Sequence, residues 1–205
     1  MAPDRLKLPT RFGKRPGASP GVTPGELGAL ARAPARAVKV TVIDWSSEQV
    51  EMHGVLDFDA FLAAHRPPWT TVRWINIDGL TDLKAIEALA TKYELHPLAV
   101  EDLLNTSTRP KTDAYGGDPE VAARLFIVTR MIEMKKDRLE SEQISLFLGH
   151  KTVLTFQETP GDVWDPVRQR INARGSRLRV GDASFLVYTL LDAIVDHIFP
   201  VLEHY

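Results

Sequence analysis

Strand-like and helix-like segments are mixed along this chain without a regular β–α alternation, and this order limits the folds open to it. Strands are predicted where β-branched residues cluster or apolar and polar residues alternate, at 38–44, 49–54, 71–77, 124–133, 143–148 and 152–157. Helices are predicted from apolar periodicity, capping residues and proline, at 58–65, 82–93, 97–105, 163–173 and from 182 onward. A strict β–α repeat would build a doubly wound parallel sheet. This order instead predicts an α/β fold, an αβα sandwich with a mixed parallel and antiparallel central sheet.

Composition divides the chain into three parts. Residues 1–36 hold six prolines, and seven Lys and Arg side chains against two acidic ones, so we predict a flexible basic tail. Residues 37–182 carry the predicted sheet domain. Residues 183–205 begin a long apolar helix, but ionisable side chains interrupt it, so we predict a buried or interfacial helix rather than a membrane span. Pro200 is predicted to kink this helix or to end it.

Some protein classes are excluded or disfavoured by what the 205 residues lack. There is no cysteine, which excludes disulfides, zinc–thiolate sites and cysteine nucleophiles. The formal net charge of −2 supplies no positive field for nucleic acid. Ser141, Ser145 and Ser184 have no nucleophile-elbow context, and the sequence contains no P-loop or Gly-x-Gly-x-x-Gly run. We therefore expect neither an enzyme nor a nucleic-acid-binding protein.

Two pairs of carboxylates are the candidate ion-binding residues. Glu101 and Asp102 are adjacent in a short apolar helix, and Asp192 and Asp196 share one face of the last helix because they are four residues apart. Acidic side chains on apolar helices are costly unless something compensates their charge. Mg²⁺ prefers oxygen ligands and keeps several waters, so one or two direct carboxylates suffice for it. The pattern therefore indicates a divalent-cation site.

A simpler interpretation is also open for the second pair. Asp192 and Asp196 could form ion pairs with arginines such as Arg109 or Arg170, and spacing alone favours that alternative because most helix carboxylates are solvated or ion-paired. His96 is expected to cap a helix rather than to bind metal. Among the other helix starts, Thr81 and Asp162 are predicted to be N-caps.

Several motifs, taken in chain order, resemble those of the CorA family of divalent-cation transporters. Glu101 and Asp102 lie within one of them, and Asp192 and Asp196 within another. The matching segments are 74–80, 95–105, 109–111, 139–148, 153–158, 161–168 and 191–196. The resemblance runs from about residue 38 to residue 205 without large gaps.

The resemblance implies an αβα cytoplasmic domain that leads into a long stalk helix and two membrane helices. Residues 183–205 would then be the start of that long helix, and the chain would reach the membrane only through segments beyond Tyr205. In the full-length protein we expect a homopentamer in the cell inner membrane, with this region on the cytoplasmic side. The family's Gly-Met-Asn signature is absent from these 205 residues. The expected ion is Mg²⁺, with Co²⁺, Ni²⁺ or Zn²⁺ as alternatives.

The resemblance also implies roles for the carboxylates. Asp102 matches the family's principal regulatory carboxylate, Glu101 its neighbour and Asp192 a further ligand. Asp196 joins this set by its helical spacing from Asp192. In the family, such ions bind between neighbouring cytoplasmic domains and hold the channel closed.

Three alternatives to this interpretation remain at the level of the sequence. The chain could belong to a zinc-transporting relative of the same family. It could be a soluble metal-dependent enzyme, which would require one pocket to enclose Glu101, Asp102 and Asp192 within a single chain. It could also be an interaction module that dimerises through its last helix, and exposed side chains at Phe185, Tyr188 or Phe199 would support that alternative.

Overall fold

The computed structural model describes residues 37–116, 124–135 and 138–204. The predicted basic tail, residues 1–36, lies outside the described residues.

The described strands form one mixed sheet, as predicted, and it has seven strands rather than the six predicted, because residues 111–115 also pair in it. The strands are β1 (Lys39–Trp45), β2 (Val50–Gly54), β3 (Val72–Asp78), β4 (Lys111–Tyr115), β5 (Arg124–Lys135), β6 (Arg138–Leu148) and β7 (Thr152–Gln157). Their order across the sheet is β2-β1-β3-β7-β6-β5-β4. The β3–β7 pair is parallel, and the other five pairs are antiparallel. Strand β6 starts five residues before the predicted 143–148, because its exposed first half pairs with β5.

Helices cover both faces of the sheet. They are α1 (Phe58–Ala63), α2 (Leu83–Lys92), α3 (Pro97–Leu104), α4 (Asp165–Asn172), α5 (Arg177–Val180), α6 (Ala183–Asp196) and α7 (Phe199–His204). Period-two alternation in the strands divides the apolar side chains between the two faces. The α2/α3 core includes Ile75, Ile86 and Leu103, and α1 packs at its margin. The α4/α6 core includes Trp74 and Leu190. This three-layer arrangement is the predicted αβα sandwich.

Two predicted helix caps were wrong. The N-cap of α2 is Asp82, whose side chain accepts a hydrogen bond from the N–H of Ala85, and not Thr81. Helix α4 begins at Asp165 rather than at 163, and Trp164 occupies its N-cap position. Asp162 accepts a hydrogen bond from the N–H of Trp164 at 2.9 Å, and it also accepts hydrogen bonds from Arg168, at 2.6 Å to each of its carboxylate oxygens. The carboxylate therefore lies before the helix, bound both to the chain at its start and to a nearby cation.

The predicted interruption of the last helix is present. Helix α6 ends at Asp196, and α7 begins at Phe199 just before Pro200. Proline has no N–H, so it cannot donate to the carbonyl of Asp196 four residues earlier. By length and composition, residues 183–203 are apolar enough to cross a membrane, with a mean hydropathy of 1.7. Six side chains of α6 are buried in the described structure. Helix α6 is therefore a core helix here, as the sequence predicted.

Buried charge is paired within the sheet. Asp44 and Arg73 lie opposite each other on β1 and β3, and their side chains are 1% and 8% exposed. Two hydrogen bonds of 2.9 and 2.7 Å join them. Burial acts to lower the pKa of Arg73, but the hydrogen bond to Asp44 and the charge of Asp44 outweigh it and raise the pKa. The arginine therefore stays charged inside the fold.

Candidate functional site

Helix α3 presents Glu101 and Asp102 at the rim of a surface groove. Pro97 occupies the first turn of the helix, and His96 caps it as predicted, because its Nδ1 accepts from the N–H of Leu98 at 3.3 Å. The buried side chains of α3 hold one face against the α2/α3 core, so both carboxylates are half-buried at the edge of that face. The groove has a volume of about 480 Å³ and is also lined by Leu98, Lys111, Asp113, Ala114 and Tyr115.

A lysine compensates the charge of Asp102. The Nζ atom of Lys111, on the edge strand β4, lies 2.6 Å from Oδ2 of Asp102 and 2.8 Å from Oδ2 of Asp113. The hydrogen bond to Asp102, followed by the one to Asp113, raises the pKa of Lys111 above its ordinary value. The sequence analysis did not identify this partner. A signal was present, because Lys111 follows Arg109 and Pro110 in a matched motif, but which carboxylate it meets depends on the fold.

Polar side chains of the neighbouring strands hold the carboxyl end of α3. Gln143 is 1% exposed, and its Nε2 donates to the carbonyls of Asp102 and Leu103 at 3.1 and 3.2 Å. Arg130 donates to the carbonyl of Thr106 at 2.8 Å. The two Gln143 bonds satisfy carbonyls at the end of α3, and the Arg130 bond holds the turn that follows the helix. Sequence reasoning missed Gln143, because a glutamine at the start of an apolar strand carries no sign of its target.

The second pair of carboxylates lies in a different groove. Asp192 and Asp196 are exposed on α6, and with His197 and Arg170 they line a groove of about 260 Å³ between α4 and α6. Within the described ranges, neither aspartate forms an ion pair with Arg109 or Arg170. The simpler interpretation that the sequence favoured for this pair therefore has no support from the described contacts.

The sheet separates the two pairs of carboxylates. Helix α3 packs on the α2/α3 core, whereas α6 packs on the α4/α6 core on the opposite face. Across residues 37–116, 124–135 and 138–204, no group of three or more His, Asp or Glu side chains is placed to hold a metal ion. No described pocket encloses Glu101, Asp102 and Asp192 together, as the enzyme alternative requires. A site that used both pairs would need two chains.

Comparison with known proteins decides the family. Residues 69–205 match the family described as "CorA-like Mg2+ transporter protein", which is most of the chain. This chain belongs to the CorA family. It is 36% identical to the cobalt/magnesium transport protein CorA of Thermotoga maritima over 167 residues. The aligned segment covers 80% of this chain and 45% of that protein. It is 33% identical over 131 residues to the putative metal ion transporter YfjQ of Bacillus subtilis, covering 63% of this chain and 37% of the relative. The CorA-family chain thus spans less than half the length of these curated relatives.

Solved structures share the fold. The soluble domain of CorA from Methanocaldococcus jannaschii superposes with a TM-score of 0.54 at 13% identity, over 82% of this chain and 59% of that one. The ZntB cytoplasmic domain from Vibrio parahaemolyticus gives a TM-score of 0.59 at 14% identity, over 82% of this chain and 62% of that one. The full-length CmaX protein gives 0.61 at 16% identity, over 84% of this chain and 50% of that one. At these identities the likeness supports the αβα architecture of this CorA-family chain.

The last helices also expose apolar surface. Tyr188 is 61% exposed and Phe199 is 56% exposed, whereas Phe185 is half-buried and stacks on Tyr188 at 6.1 Å between ring centroids. Tyr188 and Phe199, two of the three aromatic side chains whose exposure would support the interaction-module alternative, are therefore accessible within the described structure.

Proposed function

We propose that this chain is the cytoplasmic regulatory domain of a CorA-type divalent-cation transporter, and that ions bound between neighbouring chains favour the closed state. One observation carries the proposal. Glu101 and Asp102 lie on one side of the sheet and Asp192 and Asp196 on the other, all at accessible rims. When chains assemble side by side around a ring, the α3 face of one subunit can meet the α6 face of the next. An ion between them would have ligands from both.

The donor set fits Mg²⁺ as a ligand. All of the proposed side-chain ligands are carboxylates, which supply the oxygen atoms that Mg²⁺ prefers, and their partial exposure leaves room for the waters that this ion keeps. Two carboxylates about 4 Å apart repel by roughly 1 kcal/mol in water and by more where water is excluded. A doubly charged ion between two chains reverses the sign of that interaction. Loss of the ion therefore destabilises the interface, and the population shifts toward the open state by the difference in ion affinity between the two states.

The rest of the proposed assembly follows from the same assignment. Residues 37–182 form the sheet domain, residues 183–205 lead toward a stalk helix, and the membrane is reached through segments beyond this chain. The full-length protein is a homopentamer in the inner membrane, with this domain on the cytoplasmic side. Mg²⁺ is the principal regulatory ion and transported substrate, with Co²⁺ next. Curated relatives that are named as cobalt/magnesium and magnesium transporters support this choice of ions.

Limited proteolysis of the full-length protein in membranes tests the proposal. We expect Mg²⁺ at millimolar concentration to slow tryptic cleavage of the parent protein. Asp102→Lys places a permanent cation at the site and should abolish that protection. Glu87→Lys, an equal charge change at an exposed position of α2, is the matched control and should be protected like the parent. Mg²⁺-dependent protection of Asp102→Lys at the parent level would refute the proposal. Protection by Zn²⁺ but not by Mg²⁺ would favour the zinc-transporting alternative instead.

A further inference from the structure

Lys111 occupies the position beside Asp102 that a bound cation would otherwise take. Its ammonium lies within 2.8 Å of one carboxylate oxygen of Asp102 and one of Asp113. All three side chains line the same groove as Glu101. The chain therefore brings its own positive charge to the carboxylate that the proposed function assigns to a divalent ion.

This ion pair is placed so that it can open without any change in the fold. The side chains of Lys111, Asp102 and Asp113 are 35%, 26% and 36% exposed, so solvent reaches all three. The backbone of Lys111 is held in the β4–β5 ladder opposite Val128, while its ammonium ends a flexible four-carbon stem. Ion pairs at such partly exposed positions are only weakly stabilising. Rotation of one side chain toward solvent is enough to free Asp102.

We propose that Lys111 is an internal competitor for the regulatory ion, because its ammonium neutralises Asp102 when the ion is absent and must move away when the ion binds. This inference rests on the proposed function and adds to it the residue that sets the ion concentration at which the site fills. The ammonium and Mg²⁺ cannot both lie against Asp102 without strong repulsion between like charges. Binding therefore includes the cost of breaking the lysine pair. That cost lowers the apparent affinity of the site for the ion.

The test compares three variants of the full-length protein by the Mg²⁺ concentration that gives half-maximal protection from trypsin. Lys111→Met removes the competitor, and because a partly exposed ion pair is weak, we expect the midpoint to fall by about two- to fivefold. Lys111→Arg keeps the charge and should leave the midpoint near that of the parent. Lys84→Met removes an exposed lysine from α2 and should not change it.

The direction of the shift separates competition from a structural role. If Lys111 only stabilised β4 or α3, its removal would weaken the site and raise the midpoint, and thermal unfolding would occur at a lower temperature. An unchanged or raised midpoint for Lys111→Met therefore overturns the inference. Asp102→Asn, measured alongside, distinguishes this failure from failure of the proposed function. If Asp102→Asn loses Mg²⁺ protection while Lys111→Met behaves like the parent, only the competitor role is wrong. If Asp102→Asn keeps full protection, the proposed function is wrong and the inference falls with it.

Discussion

A mixing experiment tests whether the ion site is shared between chains. The perturbation is a pair of single variants, Asp102→Asn and Asp192→Asn, which are made in the full-length protein and co-expressed in equal amounts. Asp192 is exposed and Asp102 partly so, so that both changes are expected to leave the fold intact. Because α3 and α6 lie on opposite faces of the sheet, the proposed function expects each interface to combine Asp102 of one chain with Asp192 of its neighbour.

The expected magnitude follows from random assembly. Neither variant alone forms an intact site. In a mixed ring, about one half of the interfaces receive an intact Asp102, and about one half of these also receive an intact Asp192, so about one quarter of the sites are restored. Wild-type chains mixed equally with the double variant Asp102→Asn/Asp192→Asn give the same quarter. Both mixtures should therefore bind about a quarter of the Mg²⁺ per chain that the wild type binds, as measured by isothermal titration calorimetry.

A site contained within one chain predicts a different pair of values. The mixture of single variants would then contain no intact site, and the mixture of wild type with double variant would contain about one half. Values near zero and one half would refute the reasoning from opposite faces. The double variant alone is the baseline, and the Mg²⁺ that it still binds, for example along the transport path, is subtracted from every value.

Two further predictions concern the buried charges of the sheet and are measured by urea unfolding of the chain, followed by tryptophan fluorescence. Asp44→Ala leaves the guanidinium of Arg73 buried without its partner and should lower the free energy of unfolding by about 3–5 kcal/mol. The apolar double variant Asp44→Leu/Arg73→Met should have a free energy of unfolding close to that of the parent. Equal losses in the two variants would contradict this. Burial raises the pKa of Asp78 above its ordinary value, so its ionised form destabilises the fold at neutral pH, and this cost is relieved as pH falls through the raised pKa. Asp78→Asn keeps the Oδ1 atom that accepts hydrogen bonds from Asn76 and Gln157. It should raise the free energy of unfolding at pH 7 by an amount that shrinks toward about pH 4. A gain in stability that does not depend on pH would contradict the explanation.

Local sequence patterns predicted the elements better than their ends. Strand β3 and helix α2 lie within one residue of their predicted bounds, because period-two and three-to-four-residue apolar spacing report the buried face directly. The helix caps were less certain, because the choice between Thr81 and Asp82 depends on details of backbone geometry. Aspartate is a common N-cap residue, which is why Asp162 was predicted to be one. Local spacing could not show that its carboxylate also binds Arg168.

In the candidate site, too, the sequence indicated the residues but not their contacts in the fold. The sequence identified Glu101 and Asp102 because two adjacent acids in a short apolar helix are unusual, and the helical spacing of Asp192 and Asp196 predicted their shared face. Lys111 could not be assigned to Asp102, because the contact requires an edge strand to run beside α3. Gln143 could not be assigned to the end of α3, because it lies 40 residues after Leu103 in the chain.

The sequence by itself determined most of the strands and helices and which family the motifs resemble, because these properties depend on short-range periodicity and residue chemistry. It did not predict β4 as a strand or α5 as a helix. The tertiary structure alone decided that β3 and β7 pair in parallel at the centre of the sheet, and that α3 and α6 lie on opposite faces. It also decided that Lys111 meets Asp102. The first two arrangements join segments distant in the chain, and the Lys111–Asp102 contact, between residues only nine apart, depends on how α3 and the edge strand β4 are placed.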